Sequence, residues 1–234
     1  MLRSFLRWTW RALLLVLIVL AAVQFWFLVH IWYWVDHPPE STAFMRARLE
    51  ILQEDDPRAR LRQQWVPYQR ISGHLKRAVV AAEDAKFVDH QGFDWDGIQK
   101  AYEKNLREGE IVAGGSTITQ QLAKNLFFSG ERAWWRKAQE AAVAIMLETI
   151  MSKRRILEIY LNVIEWGDGV FGAEAAARYH YGTSAAGLSA EQAARLAAIV
   201  PSPRRYGPGS NTAYLQQRTQ TIMARMNGAA VPNK

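Results

Sequence analysis

Cysteine is absent from the 234 residues. Disulfides, thiolate metal sites and a cysteine nucleophile are therefore excluded, although the absence fixes no compartment. Histidine is scarce: the five (His30, His37, His74, His90, His180) show no HxxxH spacing, which argues against an imidazole metal site. Internal repeats, a strand-rich region and a second domain are also missing. What is present is a chain that is 50% apolar, carries ten tryptophans and has a net charge of +7. That charge suits nucleic acid, anionic lipid or a phosphorylated substrate. The length allows a membrane segment plus one domain of roughly 200 residues.

Residues 1–11 carry Arg3, Arg7 and Arg11 and no acid. From Ala12 to Val35 the chain is apolar, broken only by Gln24 and His30. As a helix, that run spans a hydrocarbon core, and Trp26, Trp32, Tyr33 and Trp34 gather at its far end as an interfacial belt would. A cleaved signal peptide is the competing reading. The run is too long for one, and no small-x-small site precedes Asp36-His37-Pro38-Pro39. The arginines lie before the span and Asp36 and Glu40 after it, so the positive-inside rule puts the N-terminus in the cytoplasm and the domain outside it. ATP, NAD and nucleic acid are then poor partners. The expected organisation is a basic segment 1–11, a transmembrane helix 12–35, a juxtamembrane linker 36–66, one helical domain 67–228 and a frayed tail 229–234.

The most informative stretch is Val79–Asp94, VVAAEDAKFVDHQGFD. Ser72 can cap a helix that ends here on two adjacent carboxylates, Glu83 and Asp84. A carboxylate at the end of an apolar helix sits at the rim of a core, where its pKa can rise; solvated helix-end charges are the rival reading. Trp95 to Glu108 reads as a further helix, closed by Gly109. In the next segment, GGSTITQQLAKN (114–125), Ser116 or Thr117 caps a helix whose core stripe is Ile118, Leu122 and Leu126. Thr117, Gln121 and Lys124 share another face, with Gln120 beside Lys124. Hydroxyls, amides and a lysine behind a glycine turn suit an anion with sugar hydroxyls nearby. The lysine lies too deep in the helix for a P-loop.

Phe127 and Phe128 read either as an interfacial patch or as a core satellite. A long helix is expected over Arg132–Ser152, with an apolar stripe through Ala138, Ala142, Ile145, Met146 and Thr149. Arg132, Arg136 and Glu140 fall on one line, and Lys137 adds a cation. Positive charge in a first turn opposes the helix dipole, a cost that an incoming anion would offset. A surface i,i+4 pair is the plainer account of Arg136 and Glu140. A helix restarts at Lys153, burying Ile156, Ile159, Tyr160 and Val163. Gly167, Gly169 and Gly172 suggest a flexible loop. Small-residue and capped helices follow over Ala173–His180, Ser189–Val200 and Thr212–Met226.

Taken in order, EDAKFVDHQGFD (83–94), GGSTITQQLAKN (114–125), RKAQE (136–140), RRILEIYLN (154–162), and AAARYHYG (175–182) with LAAIVPSP (196–203) resemble the motifs of glycosyltransferase family 51, the peptidoglycan glycosyltransferases. Thr183 and His180 depart from the last motif, where relatives often carry a basic and an aromatic residue. The resemblance implies a mainly α fold, a lysozyme-like helical domain behind one N-terminal transmembrane helix. It implies lipid II and a growing glycan chain as substrates, joined by β-1,4 bonds with inversion and release of polyprenyl pyrophosphate. Other cell-wall synthesis proteins are compatible partners, and the chain ends too soon for a transpeptidase domain. The implied location is the inner membrane, with the domain periplasmic.

By the same resemblance Glu83 is the general base and Glu140 a second site carboxylate. Lys124, Arg132, Arg136 and Lys137 would hold pyrophosphate, and Ser116, Gln121 and Asn125 would contact sugar or phosphate. Asp84 and His90 would brace the Glu83 turn. No cofactor is required by these residues, and no metal site is assigned; a divalent cation such as Mg or Mn is compatible with pyrophosphate release. Two other functions compete with this reading. A glycan-cleaving enzyme of lysozyme-like fold would use a lone rim glutamate but has no need of the cations. A non-catalytic membrane-anchored scaffold leaves Glu83 and the GGSTITQQ segment without purpose.

Overall fold

The computed structural model describes residues 2–110, 114–129 and 134–233. Helix α1 (Leu2–Tyr33) continues through the basic segment into the apolar run. Among the described residues its Phe5–Tyr33 stretch is the one helix long and apolar enough to cross a membrane. Its last turns are fixed to the domain. Phe27 and Ile31 are buried, and Gln24 Nε2 donates to Gln139 Oε1 at 3.0 Å. That bond gives the amide nitrogen a partner in an otherwise apolar surface. Arg155 adds bonds to the carbonyls of Trp34 (2.9 Å) and His37 (2.8 Å). Phe127 and Phe128 are half-buried, their ring centres 4.9 and 5.8 Å from that of Phe27. The pair packs against the core, as the satellite reading expected, and there it forms the seat of the anchor helix.

The expected linker is part of the domain. Thr42 caps α2 (Ala43–Asp55), whose Met45 reaches the core. Strand β1 (Arg62–Gln63) pairs in parallel with a later strand. Long-range contacts that composition does not reveal hold this segment down. Ser72 caps α3 (Gly73–Glu83), and Asp94 caps α4 (Trp95–Glu108), which Gly109 ends in the left-handed region at φ 72°. Thr117 caps α5 (Ile118–Phe127), and then come α6 (Trp134–Ile150) and α7 (Lys153–Val163).

The glycine stretch after α7 is a buried hairpin, not a flexible loop. Strand β2 (Glu165–Gly167) pairs antiparallel with β3 (Val170–Phe171), giving sheet order β1-β3-β2. Gly172 has φ +82°, and a Cβ there would lie 2.7 Å from the Asn162 carbonyl oxygen. The glycine serves close packing. Helices α8 (Ala173–Tyr181), α9 (Ala190–Ile199, in a Ser189–Gln192 capping box) and α10 (Ala213–Met226) complete the domain.

Two groups of helices make the core. In one, α3, α9 and α10 pack on each other; in the other, α5 packs on α6 and α7. Leu75, Val79, Leu122, Leu147, Ile156 and Trp166 are wholly buried between them. Helix α6 turns a different face inward from the one expected. Arg136, Glu140, Val143, Ala144 and Leu147 are buried, while Ile145 is 55% exposed. The run AAVAIML is apolar on all sides, so periodicity could not choose a face. The tail does not fray after Gly228: Ala229 and Val231 pack on the core, and Tyr68 Oη donates to the Pro232 carbonyl at 2.7 Å.

Candidate active site

A cleft of about 1060 Å³ opens between the two helix groups. Glu83 stands in its wall because α3 ends there. The side chain is only 10% exposed. Gln121 Nε2 donates to Glu83 Oε2 at 3.0 Å. Tyr160 Oη donates to Gln121 Oε1 at 2.8 Å, which fixes the amide with its nitrogen toward the carboxylate. Glu83 Oε1 is buried with no hydrogen-bond partner among the described residues, and Arg218 Nη2 lies 3.5 Å from it. Burial pushes the Glu83 carboxyl above its ordinary range; the Gln121 bond and the Arg218 charge oppose this, and the Asp84 charge adds to it. Burial, with the charges of Glu83 and Asp84, raises Tyr160 well above the usual phenol value.

Asp84 does not line the cleft. It turns inward and accepts from His90 Nε2 at 2.9 and 3.1 Å and from the Ile118 N–H at 2.9 Å. The second carboxylate thus ties the Glu83 turn to the start of α5. Thr117 completes the joint. Its hydroxyl donates to the Gly92 carbonyl at 2.6 Å and accepts the Gln120 N–H at 3.2 Å, while Gln120 Oε1 accepts the Thr117 N–H at 3.0 Å. Thr117 takes the cap position, which leaves Ser116 in the cleft wall with Gln121, Lys124 and Asn125. The Asn125 amide donates back to the Gln121 carbonyl at 2.8 Å.

Helix α6 supplies another part of the cleft lining through Arg136, Lys137 and Glu140. Arg136 is 7% and Glu140 3% exposed, so this is no surface pair. Arg136 Nε lies 3.3 Å from Glu140 Oε1, and Lys137 Nζ donates to Glu140 Oε2 at 3.1 Å. A buried carboxylate between two cations keeps them in place while leaving the local charge positive. Lys124, Arg136 and Lys137 therefore come together in one cleft, as the sequence suggested; Arg132 lies outside the described residues. Among the described residues no group of three or more histidines and acids stands together as a metal-binding cluster.

Sequence reasoning missed several groups. Arg218 comes from α10, where it stands beside the buried stripe Leu215, Thr219, Ile222. Glu165, hidden in the glycine hairpin, lines the cleft, accepts from Arg204 Nε at 2.9 Å, and is pushed above its ordinary pKa by burial. Phe44 lies in the stretch read as linker, and the Pro201–Arg205 turn, whose start closes the LAAIVPSP motif, was given no site role; both also line the cleft.

The arrangement suits proton removal on one wall and capture of an anion on another. Comparison with known proteins agrees with the motif order. A protein-family model described as Transglycosylase matches residues 50–227. A biosynthetic peptidoglycan transglycosylase of Methylobacillus flagellatus is 64% identical over 223 residues, 95% of this chain and 97% of the relative. The protein so named in Nitrosospira multiformis is 60% identical over 97% of this chain and 99% of its own length. That in Herminiimonas arsenicoxydans is 58% identical over 95% and 96%. With a family model spanning most of the sequence, relatives matched nearly end to end, and the motif residues gathered in one cleft, the chain belongs to the transglycosylase family.

Proposed function

We propose that the protein polymerises peptidoglycan glycan chains from lipid II, and that Glu83 and the cations of α5 and α6 carry the reaction. The observation that supports this best is the pairing of a buried, pKa-raised glutamate with Lys124, Arg136 and Lys137 in one cleft. Glu83 takes the proton from the attacking 4-hydroxyl. The hydroxyl oxygen bonds to C1 of the donor sugar as the C1–O bond to pyrophosphate breaks, inverting that carbon. The leaving electron pair goes to pyrophosphate, whose charge Lys124, Arg136 and Lys137 compensate.

Glu140 holds Arg136 and Lys137 toward the departing group. Ser116, Gln121 and Asn125 offer hydroxyl and amide contacts to sugar or phosphate. Asp84 and His90 hold the Glu83 turn through Ile118. Anchored by α1, the domain works at the outer face of the inner membrane, where a polyprenyl substrate is delivered in the bilayer plane. A divalent cation, were one to assist, would meet the pyrophosphate itself.

The test uses the full chain in detergent with labelled lipid II, and separately with peptidoglycan. Polymer from lipid II is expected, with loss of at least about a hundredfold in Glu83→Gln, the size of a general-base contribution. Near-normal turnover in that variant, or shortening of peptidoglycan by the wild type, would reject the assignment.

A further inference from the structure

We infer that Arg218 is a positioning residue for this reaction: reaching from α10, its guanidinium holds Glu83 in place and ionised, ready to accept a proton at the start of each turnover. The inference rests on the reading of Glu83 as the base.

The carboxylate has two unlike oxygens. Oε2 is satisfied by Gln121. Oε1 is buried and has no hydrogen bond among the described residues. A buried carboxylate oxygen in that state favours protonation, and a protonated Glu83 cannot act as a base. The group standing closest in charge is Arg218, 3.5 Å away. At that distance it is a counter-ion rather than a directional bond, so it supports the charge without tying up the oxygen. Its side chain is 30% exposed, hence only partly screened by water.

The other elements around Glu83 do not supply this charge. Asp84, on the same turn, works against ionisation. From α5 comes the neutral Gln121, and from α7 the neutral Tyr160 behind it. Helix α9 also packs on α3, but its Glu191 and Arg195 act on Tyr181. The geometry is built by packing: Leu215, Thr219, Ile222 and Met226 fix α10 by its buried face, and Arg218 flanks that face at the Glu83 end of α3.

The decisive readout is the pH profile of kcat/KM for lipid II polymerisation, because a purely structural arginine would lower the rate equally at every pH. Arg218→Gln is expected to move the acidic limb upward by about one pH unit, a roughly tenfold loss below the limb, with recovery on its alkaline side. Arg218→Lys keeps a positive charge and should restore most of the limb. Should Arg218→Gln fold poorly, the same question is put to the wild type and Arg218→Lys by carbodiimide labelling. The reagent attacks protonated carboxyls, and peptide mass spectrometry then reads the Glu83 midpoint, which should differ by less than about half a unit between the two. A uniform rate loss with an unmoved limb, or a lysine variant whose midpoint rises as far as that of the glutamine variant, would overturn the inference. Glu83→Gln separates the two levels. If it retains activity, the base assignment itself falls; if it is dead while the Arg218→Gln limb stays put, only the role of Arg218 falls.

Discussion

Replacing Asn162 by leucine should cost the domain about 2–6 kcal/mol of stability, although the residue lies in one of the motifs that suggested function. Asn162 is fully buried in the last turn of α7. Its Oδ1 accepts the Val66 N–H at 2.9 Å, and its Nδ2 donates to the Val66 carbonyl at 3.0 Å and to the Glu158 carbonyl at 2.8 Å. Leucine fills the space but leaves both polar groups of the buried Val66 backbone without these partners. Each such group costs about 1–3 kcal/mol. The Glu158 carbonyl keeps its helical partner and adds little. The segment released, around Val66, is the one that carries β1 onto β3. Asn162→Asp sharpens the test. One oxygen still accepts from Val66, but the other faces two carbonyls, so the folded state should raise that aspartate's pKa. Its stability should then be highest in acid, falling as the pH rises through the unfolded and then the folded carboxyl value. The assay is denaturant unfolding of the full chain in detergent, followed by tryptophan fluorescence and compared at constant slope. A loss below about 1 kcal/mol for Asn162→Leu would refute the assignment of a structural role to Asn162.

Two further outcomes follow from the Glu83 environment. Because burial holds its folded pKa above the unfolded value, the wild type loses stability as pH rises through that interval, and the loss is complete above the folded value. Glu83→Gln lacks this penalty. It should therefore be more stable than wild type to unfolding at neutral pH, with the gain vanishing in acid; a glutamine variant less stable than wild type at neutral pH would contradict the desolvation argument. Tyr160→Phe removes the hydroxyl that orients the Gln121 amide. We expect kcat to fall roughly tenfold with KM nearly constant, the effect of about 1.4 kcal/mol lost in the transition state, and an unchanged kcat would show that Gln121 is held in place by other contacts.

Helix boundaries were largely legible because their causes are local. Ser72, Thr117, Ser189 and Thr212 each accept a backbone N–H two or three residues ahead, and Gly109 supplies the left-handed exit of α4. The anchor was legible for a similar reason, since an uninterrupted apolar length needs no partner to be recognised. The Glu83, Lys124 and Arg136–Glu140 groups were found by residue type and motif order, and the structure brings them to one cleft.

What the sequence by itself determined, then, is where helices start and stop, which segment is apolar enough to cross a membrane, and which side chains are candidates for the site. Only the tertiary structure decided which face of α6 is buried, that residues 36–66 and the C-terminal tail belong to the domain, and that Arg218 stands beside Glu83. Those facts depend on groups far apart in the chain meeting across the core: Asn162 with Val66, Tyr68 with Pro232, α10 with α3. A capping residue acts on a neighbour a few bonds away, whatever the rest of the chain does. A counter-ion acts only once packing has closed the distance, and nothing in the local pattern around residue 218 records the carboxylate that it will meet.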